Sequence, residues 1–143
     1  MGMMLLIAGG LMFSSEAVAQ MPQTPESVVD FVASAASALS QAHSIDPTVA
    51  SDAGPFLDHF DSDMPGFATL RDNVEAMVAE AAVASSIEIV NDNGDDRKRT
   101  LELDWNLQIE GQPVRREIIK CTIEKRKKDW KFTSLDPIDF FKP

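Results

Sequence analysis

Residues 100–109 read TLELDWNLQI: Leu101, Leu103, Trp105, Leu107 and Ile109 alternate with Thr100, Glu102, Asp104, Asn106 and Gln108. Successive side chains of a strand point to opposite faces, so this period of two predicts a strand with one apolar and one polar face. A sheet built on it has one covered and one wet side, which is the antiparallel habit.

Upstream, Val83, Ser85, Ile87 and Ile89 keep the same alternation, and downstream two more strands are expected over about Val114–Lys127 and Trp130–Leu135. Before Val83 the period lengthens. Leu70, Val74, Met77, Val78 and Ala81 form a helical stripe from Phe67 onward, with Arg71, Asp72, Glu75 and Glu80 on its polar side. Val28, Val32, Ala35 and Leu39 form another, opened by Thr24 as N-cap and Pro25 as first helical residue and running to about Gln41. Between them Pro47, Gly54, Pro55, Pro65 and Gly66 leave room only for a short helix around Phe56, Leu57 and Phe60. Helices first and an antiparallel meander after them make an α+β domain.

Because a one-residue slip turns every side chain to the other face, strand parity can be used to choose turns. A three-residue loop, Asp92-Asn93-Gly94 with Gly94 left-handed, keeps Ile87 and Ile89 on the apolar face. Gly111-Gln112-Pro113 as the next connection sets Glu117 opposite Leu107, Ile119 opposite Trp105, Cys121 opposite Leu103 and Ile123 opposite Leu101, with Lys120 against Asp104 outside. Lys128-Asp129 as a two-residue turn directs Trp130 and Phe132 inward. The C-terminal SLDPIDFFKP then continues the last strand, Ile138 and Phe140 inward and Phe141 turned away.

The first twenty residues, MGMMLLIAGGLMFSSEAVAQ, hold an apolar run from Met3 to Phe13 and then Ala17-Val18-Ala19. This is the pattern of a signal peptide over residues 1–19, although no Lys or Arg precedes the run. The run is too short to span a bilayer, so no membrane anchor is expected once it is removed. Residues 20–143 are expected to form one domain, exported to the periplasm or the extracellular space. The formal charge of the chain is −10, which argues against nucleic acid as a partner. The basic run EKRKKDWK reads as a solvated strand end and turn. Cys121 is the only cysteine and can make no disulfide within the chain.

FLDHFDSDMPGFATLRDNVEAMV, RKRTLELDWNLQIEG and RREIIKCTIEKRKKDWKFTSLDPIDFFKP resemble segments of uncharacterised secreted bacterial proteins in the nuclear transport factor 2-like (cystatin-like) superfamily, over roughly residues 25–143. The resemblance implies a cone in which helices and a curved sheet enclose a concavity. Members include isomerases, dehydratases, cyclases, epoxide hydrolases and noncatalytic binding modules, so the fold does not choose a chemistry. Steroid isomerases and scytalone dehydratases of the superfamily use cavity tyrosines. This chain has no tyrosine, which disfavours both.

Glu117, placed among Leu107, Trp105 and Ile119, is the candidate general acid or base, since desolvation raises a carboxyl pKa; Arg115 or Asp136 would assist it. The alternative is an ion pair with Arg115 or Arg116. Asp104 falls on the outer face. His59, in DHFDSD, lacks a second histidine at ligand spacing and reads as a loop residue, and NDNGDDRKRTLE has Asp96 where a calcium loop needs glycine. No metal or cofactor is expected. Trp105, Ile119, Trp130, Phe132 and Phe140 are expected to line the concavity. The function expected is a noncatalytic module that binds a small apolar ligand or a protein, with a homodimer through the outer sheet face. The alternative is an isomerase, dehydratase or hydrolase using Glu117.

Overall fold

The computed structural model describes residues 24–143; the leader expected over residues 1–19 lies outside them. Three α-helices precede the sheet: α1 (Glu26–Ser40), α2 (Gly54–Leu57) and α3 (Phe67–Glu80). Helix α1 buries Val28, Val32, Ala35, Ala36 and Leu39, the stripe its sequence spacing demands. It starts one residue later than expected. Pro25 takes the N-cap position with an extended ψ of 141°, and no side chain caps the helix. The Pro25 carbonyl instead accepts from the N–H groups of Val28 and Val29, at 3.0 and 3.1 Å. Helix α3 buries Leu70, Val74, Met77 and Val78. It opens on Gly66, whose φ of 80° suits glycine and where an added Cβ would collide with Ile138 of the C-terminal tail.

Four antiparallel strands follow in the order β1 (Val83–Gly94), β2 (Lys98–Ile109), β3 (Arg115–Arg126) and β4 (Asp129–Asp136). The fold is therefore α+β, with the helices against one face of an open sheet. Leu101, Leu103, Trp105, Leu107, Ile119, Ile123 and Phe132 are fully buried and join the helix stripes in one core cluster. Burial of such a side chain contributes about 1.5–3 kcal/mol. Both edges of the sheet are covered locally. On β1 the Ser40 hydroxyl accepts from the Ser85 N–H (2.9 Å), while its one proton is shared between the Ala36 carbonyl (3.0 Å) and the Ser85 carbonyl (3.2 Å). On β4 the segment His59–Asp61 runs parallel to Phe132: Phe132 N–H donates to the His59 carbonyl (2.8 Å) and Asp61 N–H to the Phe132 carbonyl (2.9 Å).

The apolar face is the expected one, but the registers are not. Strand β1 continues through Asp92-Asn93-Gly94 rather than turning there, and Ile87 and Ile89 lie opposite Trp105 and Leu103, with a bulge at Val90. The turn falls at Asp95–Arg97 because the Asp95 carboxylate accepts from the N–H groups of Arg97 (2.8 Å) and Lys98 (3.0 Å), a local bond that fixes a chain reversal. The same bonds hold its carboxyl below the usual carboxylate range. The β2–β3 reversal centres on Gly111 (φ 83°), where the Gln112 N–H donates to the Ile109 carbonyl at 2.9 Å, and not on Gln112, so Glu117 faces Trp105, Ile119 faces Leu103, Cys121 faces Leu101, and Lys120 faces Glu102 rather than Asp104. The last turn is Lys127-Lys128, with a bulge at Thr133, and Phe132 faces Ile123 while Leu135 faces Cys121.

The tail also departs from expectation. Strand β4 stops at Asp136, and after a cis Asp136–Pro137 bond residues Ile138–Phe141 form a single 3₁₀ turn. Proline offers no N–H to extend a ladder. The tail folds back under the sheet instead, and both Phe140 and Phe141 are buried.

Candidate functional site

The concavity of the cone is occupied by the protein's own side chains. Phe141 packs edge-on against Trp105 with centroids 5.0 Å apart, Phe56 meets the same indole at 6.2 Å, and Phe140 lies 5.2 Å from Phe141. The Trp105 N–H donates to the Ser85 hydroxyl at 2.9 Å, so its one polar atom is satisfied inside. Of the residues expected to line an open concavity, Trp105, Ile119, Phe132 and Phe140 are core residues. Trp130 belongs to the core as well, but it also borders an open space elsewhere on the molecule.

Glu117 is exposed at the wet end of β3, so the desolvation that motivated its candidacy is missing. Its expected partners are engaged elsewhere. The Arg115 guanidinium donates to the Phe140 carbonyl (2.8 Å), the Lys142 carbonyl and the Gln112 side chain (3.1 Å), which pins the tail. Arg116 pairs with Asp104 at 2.6 Å on the outer face; this hydrogen bond holds the Asp104 carboxyl below its usual range. Asp136 is exposed opposite Lys120.

An open cleft of about 460 Å³ lies between α1, the residues after α2, and the start of β4. Its apolar walls are Phe31 and Trp130, its hydrogen-bonding groups Ser27, Ser34 and His59, and its charged rim Asp30, Asp58 and Asp129 against Lys128 and Lys131. Phe31 packs on Phe132 (4.9 Å) and on the His59 ring (5.4 Å). The His59 backbone is held on the β4 edge by Phe132, and Arg126 clamps the neighbouring Asp61 at 2.9 Å. The Asp63 backbone N–H and Arg126 hold the Asp61 carboxyl below the usual carboxylate range.

The geometry also assigns the imidazole proton. His59 Nδ1 faces only carbonyl oxygens, those of Pro55 (2.9 Å) and Phe56 (3.2 Å), so it must donate. In the neutral ring Nε2 is then the acceptor, and it receives the Ser34 hydroxyl at 3.0 Å. The outcome is a serine hydrogen-bonded to a histidine whose tautomer is set by a third group, at the wall of an accessible cleft. That arrangement can bind a polar ligand group, and it is also the arrangement that activates a hydroxyl.

Ser34 and Phe31 were not singled out from the sequence, and His59 was read as a solvated loop residue. A signal existed. Ser27, Asp30, Phe31 and Ser34 recur at i, i+3, i+4 and i+7 on α1, a second stripe beside the buried one. What the spacing could not supply was His59, which reaches Ser34 only through the tertiary fold.

The fold is that of the nuclear transport factor 2-like, or cystatin-like, cone. A protein of unknown function with a cystatin-like fold from Nostoc punctiforme superposes with a TM-score of 0.55 at 17% identity, covering 82% of this chain and 96% of that one. A "putative aromatic ring hydroxylase" from Novosphingobium aromaticivorans superposes with a TM-score of 0.52 at 15% identity, covering 79% and 89%. Neither a family model nor a curated protein matches the sequence. Cones of this kind include ligand-binding proteins and enzymes, and likeness at this identity speaks for the fold alone.

Proposed function

We propose that the chain is an exported, noncatalytic binding module whose recognition site is the cleft between α1 and β4. The ligand class is a small, partly apolar molecule with a hydrogen-bonding group, the apolar part against Phe31 and Trp130 and the polar part at Ser34 and His59. One observation carries the reading: the concavity is filled by Trp105, Phe56, Phe140 and Phe141, and the cleft of about 460 Å³ combines aromatic walls with convergent polar groups, which is the usual make-up of a small-molecule site. The test is a thermal-shift screen of small apolar and aromatic metabolites on the full chain, repeated on Phe31→Ala and Trp130→Ala. A compound that stabilises the parent and neither variant supports the site; stabilisation that survives both variants, or none by any compound, removes it. Pairing of two copies through the outer face, where Ile118 is exposed beside the Asp104–Arg116 pair, belongs to the same proposal. A monomer by sedimentation at high concentration would remove that part.

The hydrogen bond from Ser34 to His59 favours a second reading, hydrolysis of a carboxylic ester in the same cleft, in place of chemistry at Glu117. Ser34 Oγ would add to the ester carbonyl as His59 Nε2 takes its proton. The leaving alcohol would recover that proton, and water, deprotonated by His59 in turn, would release the acid and free Ser34. A fluorophosphonate probe decides it: one adduct per chain, on Ser34 and lost in His59→Asn, supports the reading, and no adduct on Ser34 ends it.

A further inference from the structure

The basic run dismissed on sequence as a solvated turn is joined in space by a residue far from it. The β1–β2 and β3–β4 turns lie side by side at one end of the sheet, since Lys98 faces Glu124 and the Lys125 N–H donates to the Arg97 carbonyl at 2.9 Å. Between them is a concavity of about 420 Å³ lined by Asp96, Arg97, Lys125, Lys127 and Lys128. Four cations thus face one another with a single carboxylate among them.

Two further facts separate these cations from ordinary surface charge. Among the described residues, ion pairs at this end take Arg99 (with Asp92, 2.8 Å) and Arg126 (with Asp61 and Glu124), and none takes Arg97, Lys125, Lys127 or Lys128. The turn itself is built against its own preference. Lys127 has a φ of 62°, a left-handed conformation that asparagine or glycine adopts at lower cost, and two-residue hairpin turns favour those residues. The chain, with a formal charge of −10, keeps two lysines there instead. Rules of local structure broken without a packing gain mark places where function is to be sought.

We propose that this concavity binds a phosphate- or sulfate-type dianion, free or carried on a larger molecule. Arg97 would offer its planar fork and the three lysines point charges to a tetrahedral group of oxygens. Lys125 is positioned for this by the Trp130 ring, 5.3 Å from its ammonium. The site adjoins the cleft between α1 and β4, sharing Lys128 with its rim and the Trp130 ring with its wall, but opens at the β1–β2 and β3–β4 turns instead.

The experiment is an amide NMR titration of the full chain with inorganic phosphate, with sulfate, and with sodium chloride at matched ionic strength. Saturable phosphate or sulfate shifts confined to residues 96–98 and 125–128 are expected, with little from chloride. Lys127→Asn should weaken phosphate binding by roughly three- to fivefold, the scale of one exposed ionic contact, while raising Tm, so lost binding cannot be laid to a damaged fold. Lys142→Gln should leave the dissociation constant unchanged. Flotation with phosphatidylcholine vesicles containing phosphatidic acid separates the sources: retention that phosphate competes away assigns a lipid phosphate, and phosphate binding without retention assigns a soluble one. Shifts that never saturate, that chloride reproduces, or that Lys142→Gln diminishes as much as Lys127→Asn overturn the proposal.

Discussion

The chain's two tryptophans stand in contrasting surroundings. Trp105, in an inner strand, is fully buried among Phe56, Phe140 and Phe141, with its N–H held at 2.9 Å. Trp130, on an edge strand, retains 7% exposure, reaches the Ser27 hydroxyl only at 3.4 Å, carries Lys125 over its ring and walls an open cleft. Aromatic residues facing inward from the same sheet therefore serve as filler in one place and as wall in another. What separates them is which segment covers them: the C-terminal tail closes over Trp105, and nothing among the described residues closes over the cleft at Trp130.

That contrast can be broken most severely at the tail. Deleting residues 137–143 removes two buried phenyl rings and the carbonyls that hold Arg115, against a total stability of about 5–15 kcal/mol for a chain of this size; circular dichroism is expected to show no cooperative thermal transition. A native-like transition after the deletion would mean that the interior is not closed by the tail. Next in size, Trp105→Ala should cost about 3–5 kcal/mol and Trp130→Ala no more than about 2 kcal/mol, read as urea midpoints. Equal losses would erase the distinction between filler and wall.

The closed interior can be sharpened chemically at Cys121. Burial pushes its thiol up to about 12, so the native chain should resist iodoacetamide at about pH 8 and react once unfolded in urea. Rapid native alkylation would show that the sheet's inner face opens readily. The smallest effect concerns the outer face. The folded-state pKa of Asp104 lies below its unfolded value through Arg116, so its contribution is present above about pH 4 and fades as the pH falls through the folded value. Asp104→Asn should lower the urea midpoint slightly at neutral pH and flatten its decline in acid; an unchanged acid limb would show that this pair adds nothing.

The fold was legible in the alternation of Leu101 to Ile109 and in the helix stripes, because burial of one face imposes those periods. Register was not. It was set by a bulge at Val90, another at Thr133 and the Asp95 turn, and a reading that assumes strict alternation misses all three: each bulge shifts the inward phase by one residue, as from Phe132 to Leu135 on β4. Glu117 illustrates the cost. It kept its face and came to lie opposite Trp105, but the β3–β4 ladder ends at Lys120–Asp136, so no strand flanks it on that side and it stays exposed. The phenylalanines of the tail were read as a strand because Pro137 was admitted at an edge, whereas the chain turned and buried both. The cleft was half legible, as a stripe on α1; its histidine arrives from a segment whose position depends on hydrogen bonds to β4 that no local signal announces.

The hydroxyl of Ser40 on β1 and the His59–Asp61 segment on β4 occupy the outermost backbone groups of the sheet. An open four-stranded sheet otherwise presents two templates on which a further strand, from a peptide or a misfolded neighbour, can polymerise. Here the β4 template is interrupted near its middle and the β1 template near its start, so Ser40→Ala would return the Ser85 N–H to that role, and self-association of the variant at high concentration would begin from the β1 side.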